Sequence, residues 1–234
     1  MKIEIWSDIM CPFCYIGKRK LEKSIETHPN RDSIEIEWKS YQLNPDLQTD
    51  VSLNINDYLA AHKGMSLDQA KQLSQQVAEM AALEGLVYNM DKAVVANSFR
   101  AHAFLHFAKG YRKQDEAKEL LFKSYFTDGK NIDDIEVLKD LATQLNLNGN
   151  ELVIVLQNNE LDGEVKRDIH EARQLGVQGV PFFVYDRKYA ISGAQPQELF
   201  VQTLEKALTE WSGNHPLQIV TDTDGPSCGP DGCE

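Results

Sequence analysis

The chain has 234 residues, 42% hydrophobic and 26% charged, which suits one large globular domain or two small ones and excludes collagen-like, low-complexity and wholly disordered classes. With 24 basic against 36 acidic residues the net charge is -12, a field that opposes nucleic acid, whose affinity leans on Lys and Arg. Four cysteines are too few for a disulfide scaffold at this length, yet they are unevenly placed: Cys11 and Cys14 near the start, Cys228 and Cys233 at the end.

Lys2 to Trp6 alternates Ile3 and Ile5 with polar neighbours and reads as a short strand. Acidic Glu4 and Asp8 interrupt the place where a secretory leader carries its apolar stretch, and no run approaches the roughly 20 apolar residues of a membrane span. A cytoplasmic location with no membrane partner is therefore expected, where thiols are mostly reduced. Cys11-Pro12 opens a helix to about Thr27, Pro12 suiting the first helical position, where its missing N–H costs nothing. His28-Pro29-Asn30 ends it, and Ile34 to Trp38 begins a second strand running towards Leu43.

Residues 50–178 contain no convincing strand and read as helices at about 55–63, 66–84, 97–109, 113–127, 133–146 and 150–176, with Ser66 and Asp133 as N-caps. Val180 to Tyr185 and Tyr189 to Ser192 restore strand character, and a last helix runs to about Trp211. The order β-α-β, helices, β-β-α describes an α/β domain split by a helical insertion too long to be a loop, with a small core of its own. The expected division is 1–48 for the first part of the α/β domain, 49–175 for the insertion, 176–212 for its second part, and 213–234 for a flexible acidic tail carrying CxxxxC.

Cys11-Pro-Phe-Cys14 sits where a strand hands over to a helix. Unsatisfied N–H groups and the helix dipole favour an anion there, so the Cys11 thiolate should be stabilised, though Pro12 and Phe13 add no donor or charge of their own. The spacing brings Cys14 to the same face one turn further in, within reach of a disulfide. The pair can act as an attacking and a resolving thiol. Half of a zinc site, which needs two more ligands, or two core cysteines side by side are the other readings.

Asp8-Ile-Met-Cys11-Pro-Phe-Cys14-Tyr-Ile-Gly17, together with Gly176-Val-Gln-Gly-Val-Pro181-Phe-Phe-Val and Ile191-Ser-Gly-Ala-Gln195, resembles the DsbA-like thioredoxin family. The branch it looks most like is FrnE, named as polyketide-pathway dithiol–disulfide oxidoreductases; kappa-class glutathione transferases and 2-hydroxychromene-2-carboxylate isomerases share the fold. The resemblance runs over residues 1–212. It implies a thioredoxin fold interrupted by an all-helical domain, and a cis bond between Val180 and Pro181 facing Cys11. Pro181 then shapes where an extended substrate chain lies, with Pro12, Phe13, Val180 and Asn97 as substrate contacts. Taken alone, Pro181 reads as an ordinary strand-entry proline.

The isomerase and transferase relatives usually carry Ser in place of Cys11 and use glutathione's thiol, so two cysteines favour dithiol chemistry. Asn97-Ser-Phe-Arg-Ala-His102 resembles a segment lining the site in those relatives, while Asn97 also suits a plain helix N-cap. Cys228-Gly-Pro-Asp-Gly-Cys233 has a spacing found in members of the FrnE branch. It is expected to be a second redox pair exchanging with Cys11; a surface staple or adventitious metal binding are the alternatives.

His102 and His106 lie four apart, a spacing able to bind metal, but their phenylalanine-rich surroundings favour packing over a metal site. Asp8 can either assist proton transfer at the cysteines or cap the loop. The sequence thus predicts a thiol–disulfide oxidoreductase or isomerase, with protein or small-molecule thiols and disulfides as partners and no metal or nucleotide cofactor. A glutathione-dependent isomerase or transferase acting on small aromatic molecules is the alternative, and a thiol sensor or zinc module using all four cysteines is a further one.

Overall fold

Strand β1 (Lys2–Ser7) has two buried faces because its alternation serves two layers. Ile3 and Ile5 join Leu21, Phe183, Phe200 and Leu204 in one apolar cluster, while Trp6 packs on the opposite side with Ala172, Val177 and Val184. The structure, a computed structural model, describes residues 1–214 together with the backbone of residues 228–229 and 232–233. After β1 come α1 (Pro12–Glu26), β2 (Glu35–Ser40), β3 (Asp50–Asn54), α2 (Ile55–Lys63), α3 (Leu67–Leu83), β4 (Val94–Val95), α4 (Phe99–Gly110) and α5 (Gln114–Phe122). A π-helical turn (Lys123–Thr127), α6 (Ile135–Gln144), α7 (Gly149–Gln157), α8 (Asp162–Gln174), β5 (Phe182–Tyr185), β6 (Tyr189–Ser192) and α9 (Gln197–Asn214) complete that stretch.

The main sheet has the order β2-β1-β5-β6, with β1 parallel to β2 and antiparallel to β5, and β6 antiparallel to β5. This is the thioredoxin-type α/β fold expected, with α1 and α9 on one face. On the other face α8 is fixed by the Trp6 indole N–H, which donates to the Asp168 carbonyl at 3.0 Å. Pro12 does occupy the start of α1, and Ser66 caps α3 in a reciprocal pair with Gln69.

Three expectations change. The stretch read as strandless contains β3 and β4, which pair at Asp50↔Val95 and Asn54↔Val94 across an irregularity, too briefly for alternation to show in the sequence. The helix read over 150–176 is two, broken around Asn159, whose φ of 55° no continuous helix accommodates. The insertion also has no separate core: its apolar cluster runs from Phe104, Phe122, Tyr125 and Leu138 straight through to Ile9, Cys11, Cys14, Tyr15 and Ile16. The cysteine pair therefore lies in the seam between the two layers. The strand residues Cys228–Gly229 and Gly232–Cys233 pair antiparallel in backbone, while the side chains of both cysteines, and the tail expected to be flexible, lie outside the described residues.

Candidate active site

β1 delivers the chain to a tight turn in which the Cys11 N–H donates to the Asp8 carbonyl at 3.2 Å, making Cys11 the N-cap of α1. Both cysteines are free thiols; Cys14 is wholly buried and Cys11 is 4% exposed. Across the seam the Val180–Pro181 peptide is cis, and the Cys11 Sγ–H approaches the Val180 carbonyl at 3.4 Å. Gly17 makes this approach feasible: a Cβ there would meet Phe183 Cζ at 2.9 Å and Pro181 Cγ at 3.1 Å. The glycine one turn beyond Cys14 thus sets how closely α1 rides on the β5 entry.

The electrostatics differ from the simple helix-start expectation. Interaction with Cys14 and burial push the Cys11 thiol up, against a downward pull from the Cys14 backbone N–H.

Beneath them lies a group of buried polar residues. Asp8 accepts from the Leu43 N–H at 2.8 Å, and His102 Nε2 stands 3.5 Å from its other oxygen, at the outer limit of a hydrogen bond. Burial alone would raise the Asp8 carboxyl, but His102, the Leu43 N–H and the Ser98 hydroxyl outweigh it and hold it below the usual carboxylate range. Burial keeps His102 below its ordinary value, against the pull of Asp8. The geometry is that of a protected dithiol with an anionic carboxylate and a neutral imidazole below it, an arrangement suited to thiol–disulfide exchange.

A family model for a DSBA-like thioredoxin domain matches residues 2–205. The chain belongs to that family. A solved structure of a probable DsbA oxidoreductase from Streptomyces coelicolor is 38% identical, covering 100% of this chain and 98% of that one with a TM-score of 0.85. The YwbO protein of Bacillus subtilis is 28% identical over 213 residues, 89% of this chain and 96% of its own. The cytosolic disulfide reductase DsbM of Pseudomonas aeruginosa shares the fold at 17% identity and a TM-score of 0.61, over 90% of this chain and 100% of that one.

In this DsbA-like domain the residues singled out by sequence separate into two groups. Cys11, Cys14, Val180 and Pro181 converge. Pro12 and Phe13, the latter 37% exposed, line an apolar cavity of about 290 Å³ beside the cysteines, together with Met10, Leu43, Tyr58 and Val77. The Pro12 carbonyl is held at 2.7 Å by the Tyr88 hydroxyl of the insertion.

Asn97 is spent elsewhere. Its Oδ1 accepts from the Phe99 N–H at 2.8 Å and from Gln42 Nε2 at 3.0 Å, and its Nδ2 donates to the Leu47 carbonyl at 2.8 Å. The amide therefore starts α4 and ties down the loop before β3. His102 and His106 do not converge on a common point: His102 faces Asp8, while His106 Nε2 meets both Ser40 Oγ and Asp168 Oδ2 at 3.1 Å. Because one ring nitrogen serves both partners, Ser40, His106 and Asp168 lack the relay of a nucleophilic triad.

Lys118 escaped the sequence reading. The buried face of α5 is Gln114, Ala117, Lys118, Leu121 and Phe122, so a lysine stands within the apolar stripe. That position was the available signal.

Proposed function

We propose that the chain is a dithiol–disulfide oxidoreductase of the FrnE branch, in which Cys11 attacks and Cys14 resolves. The observation carrying this reading is Cys11 Sγ at the start of α1, 3.4 Å from the Val180 carbonyl beside Pro181, with Cys14 fully enclosed behind it. Of the two, only Cys11 has any exposure to an incoming disulfide. Its thiolate attacks R–S–S–R′, forming Cys11–S–S–R and releasing R′S⁻. The Cys14 thiolate then attacks Cys11 Sγ, RS⁻ leaves, and two electrons have passed from the dithiol to the substrate. In reverse, the Cys11–Cys14 disulfide oxidises a substrate dithiol. The apolar cavity at Pro12 and Phe13 suits an apolar side chain next to the substrate's cysteine.

Insulin reduction and scrambled-disulfide repair by wild type, Cys11→Ser and Cys14→Ser test this. Cys11→Ser should abolish both activities, and Cys14→Ser should accumulate a mixed disulfide detectable by mass. Undiminished turnover in Cys11→Ser overturns the reading. Cys228 and Cys233 belong to the same proposal as a pair that recharges Cys11; deleting residues 213–234 should then slow turnover without altering single attack by Cys11.

The apolar cavity beside the cysteines favours a second reading, glutathione-dependent isomerisation or transfer on a small aromatic molecule. Saturable glutathione binding with isomerisation that survives Cys14→Ala would select it.

A further inference from the structure

Tyr88 stands in the loop between α3 and β4, is 8% exposed, and has no task in the exchange just described. Its neighbours on both sides are laced to the π-helical turn. The Thr127 hydroxyl donates to the Val87 carbonyl at 2.6 Å, the Asn89 N–H to the Phe126 carbonyl at 2.7 Å, and Asn89 Nδ2 to the Thr127 carbonyl at 2.6 Å. The Tyr88 ring stacks on Phe126 at 4.6 Å and lies 6.1 Å from Tyr15, the residue after Cys14. A π-helical turn, a rare element that recurs at functional sites, therefore aims one hydroxyl across the seam. That hydroxyl donates to the Pro12 carbonyl at 2.7 Å, between the two cysteines. Burial holds the phenol far above its ordinary value, so it stays protonated and remains a donor.

The Pro12 carbonyl and the Phe13 N–H belong to one peptide unit and point opposite ways along α1. The carbonyl points into the helix, and the N–H points back to its start, where Cys11 is the N-cap. As a thiol, Cys11 directs Sγ–H at the Val180 carbonyl, 3.4 Å away. Once the proton leaves, that carbonyl repels the sulfur, and the thiolate depends on the first N–H groups of α1. Pro12 has none. The Cys14 N–H also donates to the Cys11 carbonyl at 3.0 Å, so it serves the sulfur only in part. The Phe13 N–H is the donor left. A hydrogen bond accepted at one end of a peptide group polarises it and strengthens the donor at the other.

We propose that Tyr88 is a positioning residue that stabilises the Cys11 thiolate through the Pro12–Phe13 peptide, an inference that rests on Cys11 being the attacking thiol. The side chains of Pro12 and Phe13 offer Cys11 no donor, and the insertion makes up for it through the backbone they share. The other titratable groups facing Cys11 are Cys14 from α1, Asp8 from the turn after β1 and Lys118 from α5. All three stay unchanged in the variants that test the role of Tyr88.

The rate of Cys11 alkylation by iodoacetamide, assigned by peptide mass and followed from about pH 6 to 11, reads the thiolate. The reduced full-length chain carrying Cys228→Ser and Cys233→Ser confines the reaction to the active-site pair. Tyr88→Phe keeps the ring and removes only the hydroxyl. Its midpoint should rise, so that the thiolate fraction at a fixed pH below it falls about two- to fourfold, the cooperative share of one charge-assisted hydrogen bond. Incorporating 3-fluorotyrosine at position 88, a more acidic and therefore stronger donor, should move the midpoint down.

An unmoved midpoint in Tyr88→Phe overturns the inference, whatever the variant does to stability in urea. A shift in the same direction by both replacements also overturns it, since that marks a disturbed turn rather than a hydrogen bond. Faster alkylation of Cys14 than of Cys11 in the wild-type site would instead refute the attacking role of Cys11, a separate failure that takes the inference with it.

Discussion

On the sheet side of β1, Glu4, Glu37, Lys39 and Asp168 lie together in a layer closed by α8. Lys39 Nζ reaches Glu37 at 3.2 Å, Asp168 at 3.5 Å, Glu171 at 3.5 Å and Glu4 at 3.7 Å. Glu4 is also held by Arg187, Glu37 by Lys2 and Lys109, and Asp168 by the Ser40 N–H at 2.9 Å and His106 at 3.1 Å. Under the cysteines the pattern inverts: Lys118 Nζ, Tyr125 OH and His102 Nδ1 have no hydrogen-bond partner among the described residues, and His102 Nε2 has only its 3.5 Å approach to Asp8. Saturated buried charge fixes how two layers meet, whereas unsaturated buried charge weakens the fold and persists for what it does to a neighbour. The cysteine pair sits over the second cluster.

The largest effect should come from breaking the saturated cluster. Asp168→Ala leaves the Ser40 N–H without its acceptor, takes from His106 one of its two partners and strips Lys39 of one of its anions, so stability should fall by about 3–5 kcal/mol. Urea unfolding would measure this, with insulin reduction per folded molecule unchanged. A loss below about 1 kcal/mol would erase the distinction between the clusters.

The unsaturated cluster predicts the opposite sign. Lys118 titrates at about 8 when folded against 10.5 in its ordinary state, so between those values the unfolded chain binds the extra proton and stability rises with pH. Below about pH 8 the full penalty applies, at most about 3 kcal/mol from the separation of the two values. Lys118→Met should therefore raise stability at pH 7, and the gain should disappear by about pH 11. A variant less stable than wild type at pH 7 would mean that the amine holds the fold together.

These two clusters were unequally legible in the sequence. Strand, CPFC and the proline at the helix start are local features, and Cys11, Pro12 and Cys14 stand where their spacing implied. Pro181 needed the pairing of β1 with β5 to bring it to Cys11, which only the resemblance supplied. Asp8 remained ambiguous because its partners, Leu43 and His102, are distant in the chain. Lys118 was overlooked because a lysine at helical spacing normally faces water, and the ring of Phe122 one turn on becomes its cover only after α5 packs. Asn97 suited a substrate contact until the loop at Gln42 and Leu47 folded onto its amide.

The smallest change tests whether the two clusters act through different properties of a carboxylate. Asp8→Asn keeps the shape and an acceptor for the Leu43 N–H but removes the charge, trading a charged hydrogen bond for a neutral one at about 1 kcal/mol. Because the Asp8 carboxyl is held below its ordinary 3.8, its contribution is present above that value and is lost as pH falls through the folded value. Urea midpoints of variant and wild type should therefore differ at pH 7 and converge in acid. A gap that persists there would show a packing effect rather than an electrostatic one. Asp8 also raises Cys11, so removing its charge should favour the Cys11 thiolate. A neutral asparagine that left attack by Cys11 unmoved would confine Asp8 to capping the turn.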